Sequence, residues 1–260
     1  MAGVLHSGCA YMERNLVETY LRTLLEVKMM LLGSGAHGKI ALHPNGRDVI
    51  KIMPNSFRAH RELELTRKLQ CVPGVIRLLD AYEDDGNNTV CMVLERCELI
   101  DVHDVEVKPF IRDAVSVLKD VHDCGIIHGD IKPFNLMKRA SDGTTVLIDF
   151  GCSLESNEPV PPLSQMTPLY CSPEAMTSNS CTKSDMWAIG VMTYFLLTRK
   201  FPFDGFGMYA ILRSILTAAL DDSVIKDDVA RDFINKTLCR NVEKRMDARE
   251  ALLHPFLESI

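Results

Sequence analysis

Residues 127 to 136 read Ile-His-Gly-Asp-Ile-Lys-Pro-Phe-Asn-Leu, and Asp149-Phe150-Gly151 begins fourteen residues after Asn135. No other stretch constrains the fold as tightly. Asp130, Lys132 and Asn135 stand at spacings of two and five. A carboxylate here can accept a proton, and an ammonium can neutralise a transferring phosphoryl group. The Asn and the second Asp offer oxygen atoms of the kind that magnesium accepts. The residues before this stretch are expected to build a nucleotide clamp, and those after it a platform for the substrate.

Ahead of it lies Leu32-Gly33-Ser34-Gly35-Ala36-His37-Gly38-Lys39-Ile40. A GxGxxG pattern alone says little, because glycines serve any tight turn. The flanks are more informative. A dinucleotide fingerprint would run from the glycines into a helix. Here Lys39 to His43 reads as a second strand ending at the turn Pro44-Asn45-Gly46. Strand, glycine loop, strand is a flap whose backbone N–H groups can face phosphates. A third strand over Asp48 to Met53 carries Lys51 inside an apolar run. In isolation such a lysine reads as a snorkelling edge residue; after a glycine hairpin it reads as a phosphate ligand.

Residues 56 to 70 form a charged helix with Leu63 and Leu69 on its apolar stripe. Of the two acids that can reach Lys51, Glu62 lies seven before the closing leucine and is chosen over Glu64, which is expected in solvent. Strands are expected over Val75 to Glu83 and Thr89 to Glu95, joined by the polar turn at residues 84 to 88. After Cys97 the pattern turns helical. Ile111, Ala114, Val115, Leu118, Val121 and His122 share a face that ends near Gly125. A short strand over Val146 to Ile148 leads into Asp149. Residues 152 to 174 lack periodicity and read as a loop. From Asp185 the chain is helical, with faces at 208/211/212/215/216/219 and 229/233/234/238. Residues 12 to 26 place six apolar side chains at helical spacing, an N-terminal helical extension (1–26) packed on the domain, with partner contact through 12–26 as the alternative.

Composition narrows the setting. The chain has 260 residues, enough for one large domain or two lobes with a sizeable core. The net charge of −6 gives no generic attraction to nucleic acid or to an anionic membrane. The longest apolar run, Met186 to Leu197, is too short to span a bilayer, and the first residues lack a signal-peptide core. The nine cysteines are scattered and form no CxxC pair, which reads as reduced thiols rather than a disulfide frame or zinc site. A cytoplasmic or nuclear protein is expected.

With these motifs in place the chain resembles a eukaryotic-type protein kinase of the serine/threonine branch. The resemblance covers about residues 27 to 257. Its motifs come in the family's order: glycine loop, strand lysine, helix glutamate, catalytic loop, Asp-Phe-Gly, Ser172-Pro173-Glu174, the run from Asp185 to Gly190, and a late Arg245. The implied fold is α+β and bilobal. Its N-terminal lobe (27–97) holds a five-stranded antiparallel sheet and one main helix. Its C-terminal lobe (98–260) is mostly helical.

Roles follow from the resemblance, because phosphoryl transfer rests on alignment and charge neutralisation. Gly33, Ser34, Gly35 and Gly38 would let the backbone approach ATP. Lys51, held by Glu62, would fix the α- and β-phosphates. Asn135 and Asp149 would hold Mg2+. Asp130 would orient and deprotonate the substrate hydroxyl, and Lys132 would neutralise the γ-phosphate. Leu32 and Ile40 above and Met137 below would line the adenine slot, with Leu94 at its back and Glu95 to Cys97 supplying backbone hydrogen bonds. Thr167 would bridge Asp130 and Lys132, Asp185 would cap the catalytic loop's backbone, and Glu174 with Arg245 would form a buried ion pair. Trp187 is expected in the core. The implied partners are protein substrates.

Four positions depart from the family's pattern. Gly129 replaces the Arg that receives an activation-loop phosphate, so activity independent of that phosphorylation is expected. Phe134 replaces an acid that reads basic substrates in many members. Thr66 stands where an apolar residue is usual. Lys51 and Glu62 are only eleven apart. A His-Gly-Asp loop also occurs in small-molecule kinases resembling the aminoglycoside and choline kinases, which is the runner-up chemistry; Lys132, Phe150 and Glu174 favour a protein substrate. A weakly active pseudokinase serving as a scaffold is the second alternative.

Overall fold

In a computed structural model of the protein, the structure describes residues 31–35, 38–156, 158, 167–177 and 179–258. The helix expected over residues 12 to 26 lies outside them. Contacts divide the chain into two units. The first takes the described residues up to Glu64 together with Arg77–Arg96; the second takes Leu65–Ile76 and Cys97 onward. A single cut at 97 therefore does not divide the chain. Residues 74 to 76 leave the first unit because the Leu147 N–H donates to the Gly74 carbonyl (2.8 Å) and the Ile76 N–H donates to the Leu147 carbonyl (3.1 Å).

The first unit is built on strands β1 (Leu31–Gly35), β2 (Gly38–Leu42) and β3 (Val49–Pro54), helix α1 (Phe57–Lys68, of which Leu65–Lys68 belong to the second unit), and strands β4 (Leu78–Asp84) and β5 (Thr89–Leu94). All neighbouring strands are antiparallel, in the order β1-β2-β3-β5-β4. β3 is central and apolar on both faces, as a strand covered on both sides requires. Between β2 and β3 the Asn45 Oδ1 accepts the Arg47 and Asp48 N–H groups, and Gly46 takes φ 69°, which closes the turn. Ser56 caps α1 by accepting the Ala59 N–H at 3.2 Å. The strand expected from Val75 begins at Leu78, and Val75 bridges to Leu147.

The second unit holds β6 (Cys97–Leu99), helix α2 (Val107–Asp123), β7 (Ile126–Ile127), β8 (Leu136–Arg139), β9 (Thr145–Leu147) and β10 (Leu154–Glu155). Helices α3 (Thr182–Thr198), α4 (Met208–Thr217), α5 (Asp228–Thr237), α6 (Ala248–Leu252) and α7 (Pro255–Glu258) complete it. Its strands form two small sheets, β6-β8-β9 and β10-β7. The sequence reading of helix directly after Cys97, and of loop throughout 152 to 174, is corrected by β6 and β10; β7 and β8 were likewise not expected. Strands of two to four residues carrying Lys138 and Arg139 offer no alternation to read.

α3 is buried from Ser184 to Tyr194 and is the axis of this unit; a helix apolar all round belongs inside. The face expected on α2 is buried, including Ile111, Ala114, Val115, Leu118 and Val121. Trp187 is fully buried and stacks on Phe203. Asp227 caps α5, and a capping box of Asp247 and Glu250 opens α6. Among the described residues no helix is long and apolar enough to cross a membrane.

Candidate active site

In the first unit, Lys51 sits mid-sheet, paired with Ile40 on one side and Met92 on the other. Glu62 lies on the buried face of α1 with Ala59, Leu63 and Thr66. The Lys51 Nζ donates to the Glu62 Oε1 at 2.5 Å, with both side chains buried. Glu64 is exposed and pairs with Arg61. An ammonium taken out of water needs such a partner. It then stands as a fixed positive charge.

β1 and β2 place Gly33 opposite Ile40 and Gly35 opposite Gly38, with Ser34 opposite Lys39. Gly38 has φ 143°, and a Cβ there would come within 2.5 Å of the Ile52 carbonyl oxygen, so glycine is required. Residues 36 and 37 lie outside the described residues. Leu32 is 47% exposed and Ile40 half-buried, while Leu94 is buried. The Glu95 N–H donates to the Arg77 carbonyl at 3.1 Å, and the Glu95 Oε1 accepts the Arg77 N–H at 2.9 Å. Arg77, which no motif marks, thus fixes the backbone after Leu94.

The second unit brings Asp130, Lys132, Thr167 and Asn135 together. The Lys132 Nζ donates to the Asp130 Oδ2 at 2.6 Å and to the Thr167 Oγ1 at 3.1 Å. The Thr167 hydroxyl in turn donates to the Asp130 Oδ1 at 2.7 Å. The Asn135 Nδ2 donates to the Asp130 carbonyl at 2.7 Å and to its Oδ2 at 3.2 Å. Asp130 and Asn135 are buried and Lys132 is partly exposed. Phe134, between them in the 3-10 turn of Pro133–Asn135, points into solvent at 70% exposure.

The loop is held from below by Asp185 on α3. Its two carboxylate oxygens accept the His128 and Gly129 N–H groups at 2.9 Å each, and the His122 Nε2 lies 2.8 Å from the Oδ2. Burial opposes the Asp185 charge, but the His122 contact and the Gly129 N–H outweigh it, so its carboxyl sits below the usual range. The His128 ring adds a second fixing point. Its Nδ1 accepts the Asp130 N–H at 3.3 Å, which leaves the ring proton on Nε2 to donate to the Ile148 carbonyl at 3.0 Å. Phe150 meets the same ring edge-on, and the Ser153 hydroxyl donates to the His128 carbonyl. Sequence reasoning missed these holding roles of His122, His128 and Ser153. Only His122, a polar group on an apolar helix face, left a trace.

The Ile148 N–H donates to the Asn135 carbonyl at 2.9 Å, which sets Asp149 one step beyond Asn135. Asp149 takes the left-handed conformation, φ 65° and ψ 77°, one of the few non-glycine types that tolerates it. With the Asn135 Nδ2 engaged on Asp130, its Oδ1 remains the group for a cation. Among the described residues no cluster of three or more His, Cys, Asp or Glu could hold a metal. An amide oxygen and one carboxylate, completed by water and phosphate oxygens, suit magnesium, which rarely uses an all-protein cage.

Gly129 has φ 79°, and a Cβ there would lie 2.6 Å from the Cys152 carbonyl oxygen. Further along, Arg245 is fully buried and grips Glu174 in a bidentate pair (2.5 and 2.9 Å), with the Ser184 hydroxyl donating to Glu174 at 2.7 Å. The same guanidinium donates to the Cys239 and Lys183 carbonyls and covers the Trp187 ring. In β8, Met137 pairs with Val146 of β9 and Leu99 of β6, and Cys97 pairs with Arg139.

Comparison with known proteins agrees with this geometry. A family model described as Protein kinase domain matches residues 27–257. The chain is 32% identical over 249 residues to the serine/threonine-protein kinase PEPKR2 of Arabidopsis thaliana, covering 87% of this chain and 52% of that one. It is 30% identical to calcium-dependent protein kinase 27 of the same plant over 76% of this chain and 45% of that one. It is 29% identical to calcium/calmodulin-dependent protein kinase type 1 of Macrobrachium nipponense, covering 87% and 73%. The chain spans about half the length of the two plant relatives.

Proposed function

We propose that this chain, which belongs to the protein kinase family, transfers the γ-phosphate of ATP to serine and threonine hydroxyls of protein substrates. The observation that carries the reading is the closed set of Asp130, Lys132 and Thr167, linked at 2.6, 2.7 and 3.1 Å. Such a set presents a carboxylate that accepts the proton of an aliphatic hydroxyl beside an ammonium that offsets phosphoryl charge. Thr167 donates to one carboxylate oxygen and so turns the other toward its task. Asn135 prevents Asp130 from rotating away.

Lys51, locked by Glu62, is assigned to the α- and β-phosphates, and the β1–β2 hairpin glycines to backbone contact with them. Leu32, Ile40, Leu94 and Met137, with the backbone of Glu95 to Cys97, are assigned to the adenine. Asn135 and Asp149 are assigned to Mg2+, which when bound neutralises phosphate charge. The buried Glu174 and Arg245 pair, together with Lys132, supports a protein substrate over a small molecule. Unpatterned cysteines support a place in the reducing cytoplasm or nucleus, to be checked with a fluorescent fusion.

The test is transfer of radiolabelled γ-phosphate onto an arrayed peptide library. Asp130→Asn is expected to lower kcat by about 10²- to 10⁴-fold, and Asp149→Ala to abolish magnesium-dependent turnover. Labelling confined to tyrosine peptides, or unchanged in both variants, refutes the reading. No labelling of any substrate by the unmodified protein would instead favour the scaffold, for which the buried Thr66 and the glycine at 129 are the supporting observations.

Gly129 also supports activity without a phosphorylated activation loop. No cation at that position is available to receive a phosphate. Phosphatase treatment, or Ser164→Ala, is expected to leave the rate within about twofold. A loss of an order of magnitude refutes the idea.

A further inference from the structure

Two cysteines outside the catalytic machinery lie together in the second unit. Cys71 closes the 3-10 turn after α1 and is exposed; Cys124 is the residue that ends α2 and is half-buried. They are separated by 53 positions (124 minus 71). Contacts on both sides bring them to one place. Lys68, three residues before Cys71, pairs with Glu155, and Glu155 pairs across β10 and β7 with Ile126, two residues after Cys124. On the other side, a Cβ on Gly74 would lie 2.2 Å from the Val117 side chain. The chain turns at Val72 to Val75, where the Val75 N–H donates to the Val72 carbonyl at 3.1 Å. The stretches 68–74 and 117–126 therefore meet on either side of both cysteines. The Cys71 Sγ donates to the Lys68 carbonyl at 3.6 Å; burial first, then the neighbouring Cys71, push the Cys124 thiol up, and the Lys68 ammonium opposes that shift.

We propose that Cys71 and Cys124 form an oxidative modification site, in which a hydroperoxide closes the two thiols into a disulfide. The exposed Cys71 meets the oxidant first. Its sulfur attacks the peroxide, the O–O bond breaks, and Cys71 becomes a sulfenic acid while water or an alcohol leaves. The Cys124 sulfur then attacks that sulfur, and the hydroxyl departs as water with the Cys124 proton. Two thiols lose two electrons and the peroxide gains them. Scattered intracellular thiols carry such bonds as reversible states rather than as a frame.

The position gives the bond a consequence. Gly125, next to Cys124, turns the chain at φ 75° into β7 and so toward His128. Its carbonyl accepts the Ser156 N–H at 3.0 Å and the Ser156 hydroxyl at 3.3 Å. A disulfide at Cys124 would clamp the turn that leads into the catalytic loop and anchors the segment beyond Asp149.

The experiment treats the full chain with hydrogen peroxide, alkylates the remaining thiols, digests without reduction and maps cross-linked peptides by mass spectrometry. A peptide pair joining Cys71 to Cys124 is expected, with a rise in Tm of roughly 5 °C or more, since the bond closes a long loop, and reversal by dithiothreitol. Cys71→Ser, at an exposed position, is expected to remove the cross-link and the rise. Cys124→Ser is expected to leave a Cys71 sulfenic acid that dimedone traps. The proposal is overturned if the untouched protein accumulates as much dimedone adduct at Cys71 as Cys124→Ser does. It is equally overturned if Cys71 joins another cysteine, or if Cys71→Ser keeps the Tm rise.

Discussion

Replacing Glu174 by alanine isolates what the buried ion pair contributes. The Arg245 guanidinium is fully buried and directs four hydrogen bonds, two of them to Glu174. Removing the carboxylate leaves the charge in place, facing only two carbonyl oxygens and an aromatic ring. Breaking a buried pair from one side costs about 3–5 kcal/mol. At about 2–4 °C per kcal/mol for a chain of this size, the Tm is expected to fall by roughly 10 °C. Glu174→Gln keeps an acceptor for Ser184 and Arg245 and should lose about half as much. The pH dependence gives a second reading. Burial raises the Glu174 carboxyl, but the Arg245 hydrogen bonds and charge and the Ser184 hydroxyl pull it below its usual range. A lowered folded-state pKa adds stability above the ordinary carboxyl value of about 4.3. That stability is lost as pH falls through the lower folded value. Thermal scans from pH 7 down to 3 should therefore fall more steeply for the natural protein than for Glu174→Gln. A Tm drop below about 3 °C in Glu174→Ala, or parallel pH curves, would refute the assignment of this pair as an anchor.

Two further outcomes concern the catalytic loop. Thr167→Val removes both the donor to Asp130 and the acceptor for Lys132, worth about 1–3 kcal/mol, so kcat should fall about 10- to 100-fold in the peptide assay while Thr167→Ser stays within a few-fold; equal losses in both would sink the hydroxyl's role. Gly129→Ala forces a Cβ into the left-handed region at φ 79° and to 2.6 Å from the Cys152 carbonyl. It should cost about 1–2 kcal/mol, a Tm drop near 4 °C, and an unchanged Tm would contradict the strain argument.

The site was legible where chemistry dictates residue type. Asp130, Lys132, Asn135 and Asp149 are the residue types that the proposed transfer calls for, and their spacing exposed them. The choice of Glu62 over Glu64 was also readable, because the buried stripe of α1 passes through one and not the other. The strands β6, β7, β8 and β10 were not readable: each is too short to show alternation, and their order comes from pairing partners up to 42 residues away (Cys97 with Arg139). His128 stood in the His-Gly-Asp motif, but its holding role was not readable, because its ring acts on main-chain groups, which every residue has. Arg77, Cys71 and Cys124 escaped for the same reason in another form. Their roles come from contacts between distant stretches, and no local spacing encodes those.

The eleven-residue interval between Lys51 and Glu62 acquires a mechanical meaning from the structure. β3 ends at Pro54 and α1 begins at Phe57, so the tether is Asn55 and Ser56. Ser56 is committed to the cap, and the Asn55 N–H donates to the Asn88 carbonyl at 2.9 Å. Three chain steps reach about 11 Å at full stretch, so the helix start cannot travel farther without unzipping the end of the central strand. A turn of the helix by one residue, about 100°, would sweep Glu62 off the ammonium with no slack to recover it. In this chain, loss of the ion pair and fraying of the sheet are therefore linked as one event rather than two separable ones.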